Sequence, residues 1–250
     1  MDLSASFRLS PDLYDAHYGG HPCPERIAGA VYGLPELRAD QLPGARLIAG
    51  PGCFPTGVTI ACAPLYGAGL AGPGPLIADC KTGLTGAGAT ASATTHFCRV
   101  ADTVTPYKVE GHRHAPEIAR NLSWVAGATP VVRFTPHLVP VRRGILSTCY
   151  VPTTAGATGA QLRQAMADFA GPRRFVHLLP EGLQPSMARV AGTNRVELQV
   201  VEDRAAGLAV VTSAIDNLCK GSSGGALQAL NIAVGVDEGA GLDGLRPATP

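Results

Sequence analysis

The 250-residue sequence has almost no net charge and no long apolar run. Its 20 lysines and arginines nearly balance its 19 aspartates and glutamates, which leaves a formal net charge of +1 at pH 7. We therefore expect no broad electrostatic attraction to nucleic acid or to a membrane surface. No stretch of about 18 uninterrupted apolar residues occurs, so a membrane span is not expected. Residues 1–4 lack the basic and apolar segments that would begin a signal peptide.

The seven cysteines show no pairing pattern. None belongs to a Cys-x-x-Cys pair, and most lie in apolar runs. An odd number of such cysteines argues against a disulfide framework and against a zinc site, and it favours a reducing compartment. We therefore predict a cytoplasmic protein without a metal site.

The apolar share of 46 % is enough for a substantial core, and the length suits one large domain or a domain and a half. The second half of the chain has the alternation typical of strands, with one amphipathic helix at 159–170. The predicted strands span 131–134, 145–151, 175–179, 195–201 and 208–215, after an earlier one at 75–80. The last two should form an antiparallel hairpin. The block favours an α+β fold, with a mixed or antiparallel sheet and helices on one face.

Cys53 follows a glycine turn and precedes a helix-start pattern. Gly52 permits a tight bend, Pro55 suits a first helical turn, and Pro64 should end or kink the helix. Cys53 would then lie at a helix N-terminus, where the dipole and free N–H groups favour a thiolate and can hold an oxyanion. A thiolate there is a nucleophile. A buried structural cysteine in an ordinary turn is the alternative, and the turn alone does not exclude it.

A second cluster, His112, Arg113 and His114, comes directly before a helix predicted to begin at Pro116. Helix N–H groups, the dipole and a fixed cation together make a natural anion site, and histidine is the commonest acid/base near neutral pH. A solvated loop and a metal site are the alternatives. The glycine-rich loop at 83–88 would let backbone N–H groups approach a ligand. It matches neither the Walker A pattern nor G-x-G-x-x-G, and a flexible turn would have the same composition. A final helix should be capped by Ser222 or Ser223.

Several stretches coincide with one enzyme family. They are, in chain order, 2–8 (DLSASFR), 31–36 (VYGLPE), 51–56 (PGCFPT), 111–117 (GHRHAPE), 134–140 (FTPHLVP), 192–194 (GTN) and 216–218 (DNL). The sequence thereby resembles the N-acetyl-gamma-glutamyl-phosphate reductases, NADPH-dependent enzymes of arginine biosynthesis that belong with the aspartate-semialdehyde dehydrogenases. The resemblance implies four segments: the end of a Rossmann α/β domain (1–50), an α+β catalytic and dimerisation domain (51–213), a helix returning to the first domain (214–235) and a loose tail (236–250).

The resemblance also implies a mechanism. Cys53 would attack an acyl phosphate, a small-molecule substrate, and expel phosphate to give a thioester, which hydride from NADPH would reduce to a semialdehyde. His112 would be the acid/base partner, with His114 and Glu117 as second choices or orienting groups. A homodimer or tetramer is implied as well. The remaining implied site residues are Arg113, Arg143 and Tyr107 for substrate, and Gly83, Gly86, Gly88 and Asn217 for cofactor.

Two features depart from the family pattern. The opening strand and its G-x-x-G-x-x-G phosphate loop have no counterpart in this sequence, and Ala89 stands where the family usually has arginine. The alternative interpretation is therefore a catalytically inactive remnant or an oligomerisation module without a cofactor site.

Overall fold

A seven-stranded mixed sheet forms the centre of the computed structural model, which describes residues 1–88 and 90–247. Ala89, noted above for its departure from the family, lies outside the described residues, as do residues 248–250 of the predicted tail. The strands are β1 (Val31–Tyr32), β2 (Ile48–Ala49), β3 (Leu76–Thr82), β4 (Thr105–Pro106), β5 (Val132–Leu138), β6 (Ile145–Pro152), β7 (Val176–Leu178), β8 (Val196–Asp203) and β9 (Leu208–Ile215).

Eight α-helices lie in the described residues, five of them with eight or more residues. They are α1 (Pro11–Tyr18), α2 (Pro35–Arg38), α3 (Cys53–Gly67), α4 (Phe97–Val100), α5 (Ala115–Ala126), α6 (Gly159–Ala170), α7 (Met187–Val190) and α8 (Gly224–Ala233). Short 3-10 turns occur at Pro24–Gly29, Ala39–Gln41, Leu84–Ala87 and Ala93–Thr95, and one π-helical turn occurs at Cys219–Ser223. The helices of residues 1–88 and 90–247 are all too short or too polar for a transmembrane span.

The large sheet has the strand order β4-β5-β3-β6-β9-β8-β7. Its β3/β5 and β7/β8 pairs are parallel and the others antiparallel. The predicted hairpin is confirmed, since β8 and β9 pair from Val196 opposite Ile215 to Asp203 opposite Leu208. The α+β class with a mixed sheet is likewise confirmed. A separate small parallel sheet joins β1 and β2.

The core lies between the large sheet and three helices on one of its faces. α3 packs on β6 and β9 and also touches α5 and α6, which lie on β5 and β8. α3 is apolar on all sides, which is typical of a buried helix, and all of its residues from Phe54 to Leu65 are buried. α3 is also tied to the sheet by a hydrogen bond of 3.2 Å from the Ser213 hydroxyl to the Gly57 carbonyl.

The predicted ends of several helices and strands differ from those in the structure. Pro64 does not end α3, which continues to Gly67 with Pro64 buried in its last turn. The ring removes one backbone hydrogen bond, but the surrounding core holds the turn in place. β5 runs through Pro136 to Leu138, four residues beyond the predicted strand. The predicted serine cap is also wrong, because the Ser223 hydroxyl donates to the Leu218 carbonyl and no serine side chain caps α8.

The first fifty residues and the π-helical turn before α8 are joined by a buried ion pair. The Lys220 Nζ lies 2.6 Å from Glu36 Oε1 and 2.7 Å from Gln228 Oε1, and both charged side chains are almost fully buried. Beyond α8, Leu242 is buried, and Arg174 forms ion pairs with residues on both sides of it. The division of the chain at residues 50, 213 and 235 stays a prediction.

Candidate active site

Cys53 is the first residue of α3, and the turn before it is unusually crowded. Gly52 has an extended backbone that any residue can adopt (φ −66°, ψ 147°). Glycine is needed there for space, because a Cβ atom would lie 2.9 Å from His114 Nε2 and 3.1 Å from Glu117 Oε2. The close approach brings a histidine and a carboxylate directly against the turn that carries the thiol.

Glu117, on α5, fixes this turn by a hydrogen bond with the Gly52 backbone. Its Oε1 accepts hydrogen bonds from the Gly52 N–H (2.9 Å) and from the Tyr32 hydroxyl (2.7 Å). Asn121 donates to the same hydroxyl at 2.8 Å, and the Arg8 guanidinium lies 3.8 Å from Glu117 Oε2. Glu117 is buried and therefore fixes the backbone that presents Cys53.

The Cys53 thiol is not a resting thiolate, so the prediction made from the helix N-terminus is wrong. Burial raises the pKa of Cys53 to about 11, and the charge of Glu117 acts in the same direction. The Phe54 N–H and the Arg8 cation lower the pKa, but by less. Desolvation disfavours the charged form of a thiol, and here it outweighs the dipole. Cys53 therefore needs a base to take its proton.

His112 and His114 form a ring pair beside the thiol. Their ring centroids are 4.6 Å apart, and both rings pack near Phe54 and Phe134. The His112 Nδ1 accepts a hydrogen bond of 3.1 Å from the His114 backbone N–H. A neutral imidazole has one donor and one acceptor nitrogen, so neutral His112 carries its proton on Nε2.

Both histidines are neutral near pH 7. Burial, helped by Lys108 and Arg113, lowers the pKa of His112 to about 4. Burial, followed by the charges of His112 and Arg8, holds the pKa of His114 well below its ordinary value. The His114 Nδ1 is buried and has no hydrogen-bond partner among the described residues. The pair thus offers one N–H donor, His112 Nε2, while His114 places its Nε2 against the Gly52 turn.

A cavity of about 390 Å³ opens in front of these groups. Three cations line it: Arg99, Lys108 and Arg113. Four threonines add hydroxyl groups at residues 94, 95, 103 and 105. Of the predicted site residues, those on the cavity wall are Cys53, Gly86, Tyr107, His112, Arg113 and His114.

Other predicted residues have internal contacts. Arg143 forms an ion pair of 2.6 Å with the buried Asp216. The Asn217 side chain accepts a hydrogen bond of 2.7 Å from the Gly144 N–H. A Cβ atom at Gly83 would lie 2.7 Å from the Arg143 backbone nitrogen. These contacts hold the loop between β5 and β6, and they leave the predicted substrate and cofactor roles as predictions.

The other two loop glycines also have local reasons to be glycine. A Cβ atom at Gly86 would lie 2.5 Å from Thr82 Oγ1. Gly88 has a left-handed backbone (φ +94°), which favours glycine. Among the described residues, no group of three or more His, Cys, Asp or Glu side chains is arranged to hold a metal ion.

Sequence reasoning missed several residues of the site. Arg8 and Tyr32 lie in matching stretches without a predicted role, although both contact Glu117. Gly221 lies against the thiol, since a Cβ atom there would be 2.9 Å from Cys53 Cβ. The glycines at 221, 224 and 225, around the start of α8, were a visible signal of close packing. Arg99, in contrast, gave no motif that could have marked it as a cavity residue.

Comparisons with known proteins agree with this arrangement. A family model described as "Semialdehyde dehydrogenase, dimerisation domain" matches residues 53–217. A protein of Pelobacter propionicus named N-acetyl-gamma-glutamyl-phosphate reductase is 45% identical over 247 residues, covering 98% of this chain and 71% of the relative. One of the same name from Halorhodospira halophila is 46% identical over 254 residues, covering 98% and 72%.

Solved structures show the same fold at low sequence identity. Aspartate semialdehyde dehydrogenase II of Vibrio cholerae superposes with a TM-score of 0.66 at 19% identity, covering 82% of this chain and 68% of that one. The enzyme of Francisella tularensis gives a TM-score of 0.65 at 15% identity, covering 84% and 72%.

Proposed function

Since this chain belongs to the N-acetyl-gamma-glutamyl-phosphate reductase family, we propose that it reduces N-acetyl-gamma-glutamyl phosphate to N-acetylglutamate semialdehyde in arginine biosynthesis, with NADPH as cofactor. One observation carries the proposal: Cys53, at a helix start, opens into a cation-lined cavity beside two neutral histidines. A thiol, a proton acceptor and positive charge are the groups that acyl transfer from an acyl phosphate requires.

The first step is acyl transfer to Cys53. His114 accepts the thiol proton at Nε2, because this ring nitrogen lies against the Gly52 turn that carries Cys53. The sulfur then forms a bond to the acyl carbon, the bond from that carbon to the phosphate oxygen breaks, and phosphate leaves with the electron pair. Lys108 and Arg113 stabilise the negative charge of the leaving phosphate. The product on the protein is a thioester.

His112 acts on the oxygen of the acyl group. Its Nδ1 already accepts a backbone N–H, so the Nε2–H is the group that remains free to donate. A neutral donor preorganised in a dry site stabilises the charge that develops on this oxygen. The proposal thus gives two roles to two residues: His114 accepts the thiol proton, and His112 donates a hydrogen bond to the acyl oxygen. The sequence assigned the acid/base role chiefly to His112.

The hydride for the second step must come from a cofactor. Gly221 packs directly against Cys53, since a Cβ atom at residue 221 would lie 2.9 Å from Cys53 Cβ, so the cofactor would approach the sulfur from the side of the open cavity in front of it. NADPH would supply the hydride that reduces the thioester, chemistry that no side chain can provide. The cofactor-binding roles of Gly83, Gly86, Gly88 and Asn217 stay as predicted.

Assembly and location are part of the proposal. The matched dimerisation domain supports a homodimer or a tetramer. Across four strands, Ile77, Tyr150, Val210 and Val201 form a row on the sheet face opposite α3. Ile77 is 43 % and Val201 52 % exposed, which leaves apolar surface for a second copy. All seven cysteines are free thiols, which supports the cytoplasm as the location.

Replacing the thiol tests the mechanism. We expect Cys53→Ala to abolish reductase activity, while Cys98→Ala, which removes an exposed cysteine, retains it. Retained activity in Cys53→Ala would refute the nucleophile. A second measurement follows iodoacetamide labelling of Cys53 by mass spectrometry. A thiol with a pKa of about 11 reacts about tenfold faster for each pH unit between about pH 7 and 10, whereas a plateau near pH 7 would show a resting thiolate.

An NADPH titration separates the enzyme from the alternative of an inactive remnant or oligomerisation module. Binding in the micromolar range supports the reductase, and no binding at millimolar NADPH supports the alternative. Light scattering that finds only monomer would contradict the proposed assembly.

A further inference from the structure

The cavity in front of Cys53 is positively charged throughout. Arg99, Lys108 and Arg113 line it, and no aspartate or glutamate is among its described lining residues. Lys108 is also held in a left-handed backbone conformation (φ 48°), which is uncommon for a residue with a side chain. Strain of this kind is found at functional sites. A cavity with three cations and no carboxylate is suited to a ligand that carries more than one negative charge.

The Arg99 guanidinium is free to bind such a ligand. Among the described residues, it forms no ion pair and no hydrogen bond, and its side chain is exposed to the cavity. Arg8 and Arg143, by comparison, are held by Glu117 and Asp216. A guanidinium presents two parallel N–H donors that match the two oxygens of a carboxylate.

Arg99 comes from a different part of the chain than the other two cations. It lies on α4, whereas Lys108 and Arg113 lie on the segment that carries both histidines. Lys108 and Arg113 are the cations that lower the pKa of His112. Arg99 therefore reaches the cavity from a different segment of the chain than the reacting histidines.

We propose that Arg99 binds the α-carboxylate of the substrate and thereby selects an amino-acid-derived acyl phosphate over an uncharged one. This inference rests on the proposed function. The substrate has two anionic ends, the acyl phosphate and the α-carboxylate, separated by the carbons of the glutamyl side chain. In this assignment Lys108 and Arg113, on the segment of the two histidines, take the phosphate end, and Arg99, on α4, takes the other end. Thr94 and Thr95, just before α4, add hydroxyl groups on the same wall.

The reverse reaction tests this assignment, because there the semialdehyde and inorganic phosphate are separate substrates. We expect Arg99→Met to raise the KM for N-acetylglutamate semialdehyde about tenfold to a hundredfold, the usual loss for a charge-assisted hydrogen bond. The KM for phosphate should change less than about twofold. Arg99→Lys should recover part of the loss. Arg46→Met, which removes an exposed arginine elsewhere, is the matched control and should behave as the parent.

An analogue without the carboxylate identifies what Arg99 binds. With 4-acetamidobutanal, which lacks only the α-carboxylate, Arg99→Met and the parent protein should have equal KM values. If the substitution weakened both aldehydes equally, or raised the KM for phosphate instead, the assignment would be overturned.

A binding measurement keeps this proposal separate from the activity. N-acetylglutamate should slow iodoacetamide labelling of Cys53 in the parent protein at lower concentrations than 4-acetamidobutyrate does. In Arg99→Met the two ligands should protect at similar concentrations. If N-acetylglutamate protected both proteins equally well, the role of Arg99 would be overturned while the cavity remained an acyl-binding site. If neither ligand protected the parent and no reductase activity were found, the proposed function would fail, and the role of Arg99 with it.

Discussion

Replacing Glu117 by alanine should destabilise the protein by about 3–6 kcal/mol. The Glu117 Oε1 accepts two buried hydrogen bonds, from the Gly52 N–H at 2.9 Å and from the Tyr32 hydroxyl at 2.7 Å. Each buried donor left without a partner costs about 1–3 kcal/mol, and the vacated volume adds to the loss. The Arg8 cation, 3.8 Å from Oε2, loses its nearest carboxylate as well.

Two further variants separate charge from hydrogen bonding. Glu117→Gln keeps one acceptor oxygen and should cost about 1–2 kcal/mol, the difference between charged and neutral hydrogen bonds. Glu110→Ala removes an exposed carboxylate nearby and should change stability by less than about 0.5 kcal/mol. Urea unfolding can be followed by the fluorescence of Trp124, the only tryptophan, whose ring lies 5.3 Å from that of Tyr32. Equal stability of Glu117→Ala and Glu110→Ala would refute the reasoning.

Two other outcomes follow from the site. The pKa values of His112 and His114 are lowered by burial, so between about pH 6.5 and pH 4 the unfolded chain binds protons that the folded protein does not. The free energy of unfolding should fall as pH falls through this window, by at most about 1.4 kcal/mol per pH unit for each histidine. His112→Asn should reduce the difference between the free energies of unfolding in urea at pH 7 and at pH 5. An unchanged difference would contradict the lowered pKa of His112. Gly221→Ala places a Cβ atom 2.9 Å from that of Cys53 and should cost about 1–3 kcal/mol, whereas Gly111→Ala meets open space; equal unfolding midpoints for the two variants would count against the crowding.

Much of the fold could be predicted because its signals are local. The amphipathic period of α6 gave both of its ends correctly, since Leu162 and Met166 repeat on one buried face. The alternation of β8 and continuous apolar run of β9 gave their hairpin. Pro64 was predicted to end or kink α3, and α3 instead continues to Gly67, because a rule for isolated helices ignores the burial that holds this last turn; the kink stays a prediction. Where a buried helix ends depends on its packing in the core, and the core consists of segments that are distant in sequence.

The site was predictable to the extent that neighbouring residues form it. Cys53 and the two histidines stand in recognisable stretches, and the structure brings them to one cavity. The pKa of Cys53 was predicted in the wrong direction, because a helix N-terminus can be recognised in sequence whereas burial cannot. Tyr32 reaches Glu117 across 85 positions of sequence, and no local pattern shows such a contact.

The buried pair of Lys220 and Glu36 makes the thiol mechanically dependent on the first fifty residues. Gly221, the next residue after Lys220, abuts Cys53, while Glu36 belongs to α2 near the start of the chain. Pulling that early segment away would leave an ammonium group buried without its partner, at a cost of about 3–5 kcal/mol. A movement of α2, which carries Glu36, would therefore also displace Gly221, which packs against Cys53. Strain applied near the N-terminus would reach the reacting sulfur through this salt bridge as well as through the contacts of Arg8 and Tyr32 with Glu117.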